Sequence, residues 1–167
     1  MIFVTVGSAA QPFTRLMDAM DALAPSLGEP VVMQSRLRYP GRNTECIDYV
    51  TFGRIQQLVS ECRVLIGHGS TGPVLMARRY GKPLIMVPRR MEFGETVDAH
   101  PLEAAQAVEK KGSRMVEVVR DIANLEAAVR RAQAKADQGL TYEADPERER
   151  LVAAIRAAAE GREVPGP

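Results

Sequence analysis

Short, almost uniformly apolar runs punctuate this chain, at residues 2–6, 31–33, 64–66 and 84–87, and helical patterns lie between them. Residues of a strand alternate between the two faces of its sheet, so a run that is apolar throughout belongs to a sheet covered on both sides. Two further extended segments are expected at 47–52 and 115–119. Helical spacing marks Phe13, Leu16, Met17, Met20 and Leu23, stopped by Pro25 and Gly28. It marks Ile55, Leu58 and Val59, then residues 73–80, stopped by Gly81 and Pro83, and then 97–110 and 122–137. Alternating β and α units predict a Rossmann-like α/β fold, a doubly wound parallel sheet. Residues 1–161 are read as one domain, closed by a charged, Ala-rich helix over 145–161, and 162–167 as a frayed tail. Segment 35–46, SRLRYPGRNTEC, has no periodicity and reads as a loop.

Bulk properties narrow the setting. With 46% apolar and 26% charged residues the chain has the balance of a soluble globular domain. A net charge of +1 gives no reason to expect nucleic acid as a partner. Cys46 and Cys62 lack metal spacing and point to a reducing, cytoplasmic compartment. No apolar run reaches the length of a transmembrane helix, and the start lacks the features of a signal peptide.

The segment GHGSTG, with Gly67, Gly69 and Gly72, satisfies G-x-G-x-x-G between an apolar run and a helix. Such a turn suits any ligand phosphate, because missing side chains let an anion approach unpaired N–H groups at a helix start. A tight, ligand-free βα turn is the plain alternative. A dinucleotide fits less well. The fingerprint normally occupies the first βα turn, whereas about three strands precede it here. The next strand ends in Arg89-Arg90 rather than an acid, which leaves an NADP-dependent oxidoreductase open through a 2′-phosphate contact. No second nucleotide-binding half follows.

Three longer segments carry a resemblance. MIFVTVGSAAQPF, HGSTGPVLMARRYGKPLIMVPRR and EFGETVDAHPLEAAQAVEKKG, in this order over most of residues 1–112, resemble the C-terminal domain of family 28 glycosyltransferases. The segments resemble in particular the short subunit of two-part UDP-GlcNAc transferases of N-glycan synthesis, with bacterial exopolysaccharide counterparts. The resemblance implies the C-terminal, nucleotide-sugar-binding half of a GT-B fold, with the acceptor-binding half on a separate, membrane-anchored subunit carrying one transmembrane helix. It implies a peripheral membrane location through that partner, a UDP-sugar donor and a lipid-linked acceptor. This sequence departs from the pattern at Gly69-Ser70, usually Ala-Gly, and at Pro73, usually a hydroxyl residue. Met76 stands where larger relatives carry an acid used on the ribose, and Pro101 where a glutamine follows the histidine. These departures keep a non-catalytic nucleotide-binding regulatory module open.

Sugar transfer needs a grip on the nucleotide, neutralisation of the departing diphosphate, and a base. Thr71 and Gly72 are candidates for the diphosphate, and Gly67, Gly69 and Ser70 are further candidate substrate-binding residues of the same turn. Gly7 and Ser8 form a second strand-end turn on the same crevice, with helix capping the alternative for Ser8. His68 is a phosphate or sugar contact, or else bonds a neighbouring carbonyl; it is also a weak candidate base. Arg89 and Arg90 either face the diphosphate or sit on the surface. Phe52 is expected at the end of the third strand, where the resemblance places the uracil, with core packing the alternative. Glu95, Asp98 and His100 are candidates for sugar hydroxyls, or for capping the helix that follows. No acidic cluster or Asp-x-Asp appears, so no metal or cofactor is expected, with a helix dipole and arginines in the place of a cation. The base is expected from the acceptor half.

Overall fold

The computed structural model describes residues 1–143; the helix expected at 145–161 and the tail at 162–167 lie outside them. The elements are β1 (Ile2–Thr5), α1 (Thr14–Leu23), β2 (Val31–Gln34), β3 (Glu45–Ile47), α2 (Phe52–Glu61), β4 (Val64–His68), α3 (Thr71–Tyr80), β5 (Leu84–Val87), α4 (His100–Lys111), β6 (Val116–Val118) and α5 (Leu125–Asp137). The six strands among the described residues are all parallel, in the order β3-β2-β1-β4-β5-β6. This is the Rossmann order.

The apolar runs divide as expected between two faces. Ile2, Val4, Met33, Ile66, Ile85 and Val87 pack under α1 and α5, with Leu16, Met20, Leu125 and Val129. Phe3, Val32, Leu65 and Leu84 pack under α2 and α3, with Leu58, Val59 and Ala77. Consecutive strand residues thus enter opposite cores, which is why the runs show no polar alternation. Helix α3 stops where its sequence demands: Gly81 takes a left-handed conformation, φ 64°, and Pro83 follows.

The third strand differs from expectation. It covers Glu45–Ile47 rather than 47–52, so the loop after β2 ends at residue 44. As an edge strand among the described residues it pairs with β2, through Val32–Glu45, Met33–Cys46 and Gln34–Ile47. The apolar and β-branched residues that follow lead instead into α2, where Thr51 is the N-cap and its side chain accepts from Arg54 N–H. Phe52 therefore opens a helix. It is 68% exposed, which overturns core packing for it.

Candidate functional site

Strands β1 and β4 are neighbours, yet the chain leaves β1 toward β2 on one side and β4 toward β5 on the other. Ligand crevices in doubly wound sheets form outside the carboxyl ends of strands at such a switch. Here Gly7-Ser8 follows β1, and Gly69-Ser70 joins β4 to α3.

His68, the last residue of β4, ties the two turns together. Its Nδ1 lies 3.3 Å from the carbonyl of Thr5, and its Nε2 lies 2.9 Å from Ser70 Oγ. A carbonyl only accepts, so Nδ1 carries the proton and Ser70 donates to Nε2. Burial, and secondarily the charge of Arg89, hold the imidazole below its ordinary pKa despite the bond to Thr5. His68 is therefore neutral with both nitrogens engaged.

The three glycines of the fingerprint have different causes. A Cβ on Gly67 would stand 2.5 Å from Cβ of Pro73, and one on Gly69 2.5 Å from the carbonyl oxygen of Pro101. Two departures in the sequence, Pro73 and Pro101, thus pack into the space that these glycines leave. Gly72 differs: a Cβ there would meet only Ser70 Oγ, at 3.9 Å. Thr71 and Gly72 are exposed in the first turn of α3, which carries neither a side-chain cap nor an acid. Their N–H groups are the open end of a helix dipole.

At the Gly7-Ser8 turn lies a crevice of about 200 Å³, with Thr5 and Gln34 also in its lining and Tyr49 and Phe52 among its walls. Tyr49 is 73% exposed and Phe52 68%. An apolar hollow of about 140 Å³ shares Thr5 and Phe52 with it and reaches His68, Gly72 and Met76. Ser8 does not cap α1, whose N-cap is Phe13. Its carbonyl instead accepts from Arg36. Sequence reasoning missed Gln34, Thr5 and Tyr49. The polar residue closing the run VVMQ was the available signal for Gln34.

The charged candidates divide. Arg89 is 3% exposed, and its guanidinium donates to the carbonyls of Val6 at 2.8 Å, Gln11 at 2.9 Å, Pro12 at 3.4 Å and Glu95 at 2.8 Å. It also lies over the ring of Phe13. Arg89 is neither on the surface nor turned to an anion; it fastens the first βα loop to segment 89–95. Arg90 pairs with Glu92 and joins Arg15, Phe93 and Arg120 around a separate hollow of about 260 Å³. Glu95 is buried and accepts from Arg15 Nε at 2.8 Å, Arg15 Nη2 at 2.9 Å and Arg90 N–H at 2.9 Å. Its carboxylate is thereby closed to a sugar. Asp98 accepts from the N–H of His100, the first residue of α4, at 3.1 Å, from the position before the N-cap Ala99. The His100 side chain is exposed.

Among the described residues no three His, Cys, Asp or Glu side chains group to hold a metal, and no helix is long and apolar enough to cross a membrane.

The model of the glycosyltransferase family 28 C-terminal domain matches residues 1–158. No curated protein matches the chain. Among solved structures, the solution structure of ALG13 is 18% identical, with TM-score 0.55 over 90% of this chain and 93% of that one. The spinosyn forosaminyltransferase SpnP is 20% identical, with TM-score 0.51 over 91% of this chain and 43% of that one. The glycosyltransferase SnogD from Streptomyces nogalater is 18% identical, with TM-score 0.48 over 83% of this chain and 38% of that one.

Proposed function

The chain belongs to the glycosyltransferase family 28 C-terminal domain family, and from that premise we propose that it is the donor-binding subunit of an inverting, metal-independent UDP-sugar glycosyltransferase. The acceptor is lipid-linked, and a membrane-anchored partner supplies the acceptor-binding half.

One observation carries the reading: the uncapped first turn of α3, open at Gly72, borders an apolar hollow that shares Thr5, Phe52 and Ile55 with the aromatic-walled crevice at the switch point. The uridine base lies against Tyr49 and Phe52, and the diphosphate rests on the N–H groups of Thr71 and Gly72. In transfer, the acceptor oxygen bonds to the anomeric carbon while the bond from that carbon to the UDP oxygen breaks. Charge then builds on the diphosphate, where the helix N-terminus stabilises it. The acceptor proton needs a base with an available lone pair. Both nitrogens of His68 are engaged, so the base comes from the partner.

A panel of UDP, uridine and NADPH in a thermal-shift measurement tests the ligand class. UDP raises the melting temperature, uridine does so less, and NADPH does not. Stabilisation by NADPH alone overturns the reading. Of the two arginines that left a 2′-phosphate contact open, Arg89 is enclosed by carbonyls and Arg90 is paired with Glu92, which disfavours NADP. A non-catalytic nucleotide-binding module is favoured by Met76, which puts a thioether in the inner hollow where an acid would serve a ribose. Nucleotide binding without turnover in the presence of the partner supports that second reading.

A further inference from the structure

Thr5 and Gln34 stand opposite each other in the β1–β2 register, at the carboxyl ends of both strands. They are 8% and 4% exposed, and both line the crevice walled by Tyr49 and Phe52. Thr5 Oγ1 donates to Gln34 Oε1 at 2.8 Å and accepts from Gly7 N–H at 3.4 Å.

This pairing fixes the orientation of the carboxamide. A hydroxyl has one proton, and among the described residues Gln34 Oε1 is the acceptor for it. Turning the amide over would set its N–H against Thr5 and leave the buried hydroxyl proton unpaired, which is unfavourable. Nε2 is therefore directed away from Thr5 and has no protein acceptor among the described residues. The enclosed side-chain nitrogens and oxygens without a partner are the Nε atoms of Arg89 and Arg90. Gln34 Nε2, also without a partner, consequently reaches the surface of the crevice. The crevice thus offers aromatic walls and a donor whose orientation the fold sets.

We propose that Gln34 is a specificity-determining residue that donates from Nε2 to a carbonyl oxygen of the nucleobase, selecting a keto pyrimidine over one with an amino group at that position. Thr5 is the positioning residue that keeps the amide turned this way. The proposal rests on the reading that this crevice holds the nucleotide of a UDP-sugar. Uracil presents an acceptor where cytosine presents donors, and two opposed N–H groups cannot pair with each other. A site built to hydrogen-bond one group discriminates far better than an apolar slot of equal shape.

The test is a titration of UDP and CDP on the wild-type chain, Gln34→Glu and Thr5→Val by calorimetry. The wild type is expected to prefer UDP at least tenfold. Gln34→Glu still accepts from Thr5 but puts an oxygen where the donor stood, so UDP affinity falls about tenfold and the preference shrinks or reverses. Thr5→Val keeps its shape and removes the lock, so the UDP-to-CDP ratio moves toward one, a change that a purely structural role would not produce. If Gln34→Glu does not fold, Thr5→Val carries the test alone. Equal binding of both nucleotides by the wild type, or an unchanged ratio in the folded variants, overturns the assignment of Gln34. Binding of neither nucleotide by the wild type overturns the nucleotide site itself, and the proposal with it.

Discussion

The ring of His68 occupies the place that a side chain on Gly7 would take: a Cβ there would stand 2.5 Å from His68 Cε1 and 2.7 Å from Nε2. Gly7 also has φ 75°, in the left-handed region. Gly7→Ala is expected to cost about 1–2 kcal/mol for the backbone alone, and more for displacing the ring from Thr5. Denaturant unfolding measures it. Combining Gly7→Ala with His68→Ala removes the clash, so the double variant is expected to be more stable than the sum of the single changes implies. Strict additivity would show that the two residues do not meet.

Stability should rise with pH through the range in which the unfolded histidine loses its proton. Burial holds the folded pKa of His68 below its ordinary value, so the unfolded chain binds more protons there. The contribution is absent above about pH 7.5 and grows as a penalty below about pH 6.5, with a slope of at most about 1.4 kcal/mol per unit. At Asp21 burial acts upward, yet hydrogen bonds from Thr44, Asn43 and Arg42 outweigh it and hold the carboxyl low. Its contribution is therefore lost only at lower pH, as the pH falls through the folded value. Unfolding measured from pH 5 to 8 should show a slope that His68→Gln flattens. An unchanged slope would place the titrating group elsewhere.

Two glycines of one fingerprint should fail in different ways. Gly69→Ala drives a methyl into the Pro101 carbonyl, so α4 must shift and stability is expected to fall by about 1–3 kcal/mol. Gly72→Val meets open space and should fold with little loss, while its bulk keeps phosphate from the first turn of α3. Melting temperature and UDP affinity, measured on both variants, separate the effects. Normal UDP binding by a folded Gly72→Val chain would move the diphosphate away from this turn.

The sheet was legible where burial is two-sided. Strands β1, β2, β4 and β5 announce themselves as solid apolar runs because neighbours and helices cover them completely. Strand β3 does not, since an edge strand with Glu45 exposed and Cys46 and Ile47 half-buried has no such signature. The glycine turns at 7 and 67–72 were legible as places of close approach. The roles of Arg89 and Glu95 were not. Two of the carbonyls that hold Arg89, those of Val6 and Gln11, lie 83 and 78 residues away in the chain, and local sequence shows a charge without showing what converges on it. Gln34 was hidden for the opposite reason, as one polar residue closing an apolar run.

Arg89 is expected to govern folding rather than nucleotide affinity. Replacing it with Met removes the donors from four carbonyls in a buried setting and should cost about 3 kcal/mol or more. Lysine should recover only part of this, because a point charge cannot reach the spread of acceptors that a planar fork reaches. Chemical unfolding and UDP titration on Arg89→Lys decide the matter. A stable Arg89→Lys chain that loses UDP binding more than tenfold would put this arginine on the diphosphate.

The isolated chain is expected to bind UDP but transfer no sugar until the proposed partner subunit is added. The described residues form one Rossmann-like unit, and its crevice opens at the carboxyl ends of the strands with no opposing wall. In that state the acceptor is not positioned and water screens the charge on the departing diphosphate, so both main sources of acceleration are weakened. Exposed Leu37, Tyr49, Phe52, Met91, Phe93 and Val97 all lie in segments leaving the carboxyl ends of β2, β3 and β5, the side from which a second wall must approach. Burying such residues against a partner offsets the cost of bringing two chains together. Leu37→Asp, in the loop after β2, should therefore weaken activation by the partner while leaving UDP affinity unchanged. A radiolabelled-donor assay with lipid acceptor, run with and without the co-expressed partner, reads both effects. Robust transfer by the isolated chain would overturn the two-subunit reading, and so would activation by the partner without any physical association.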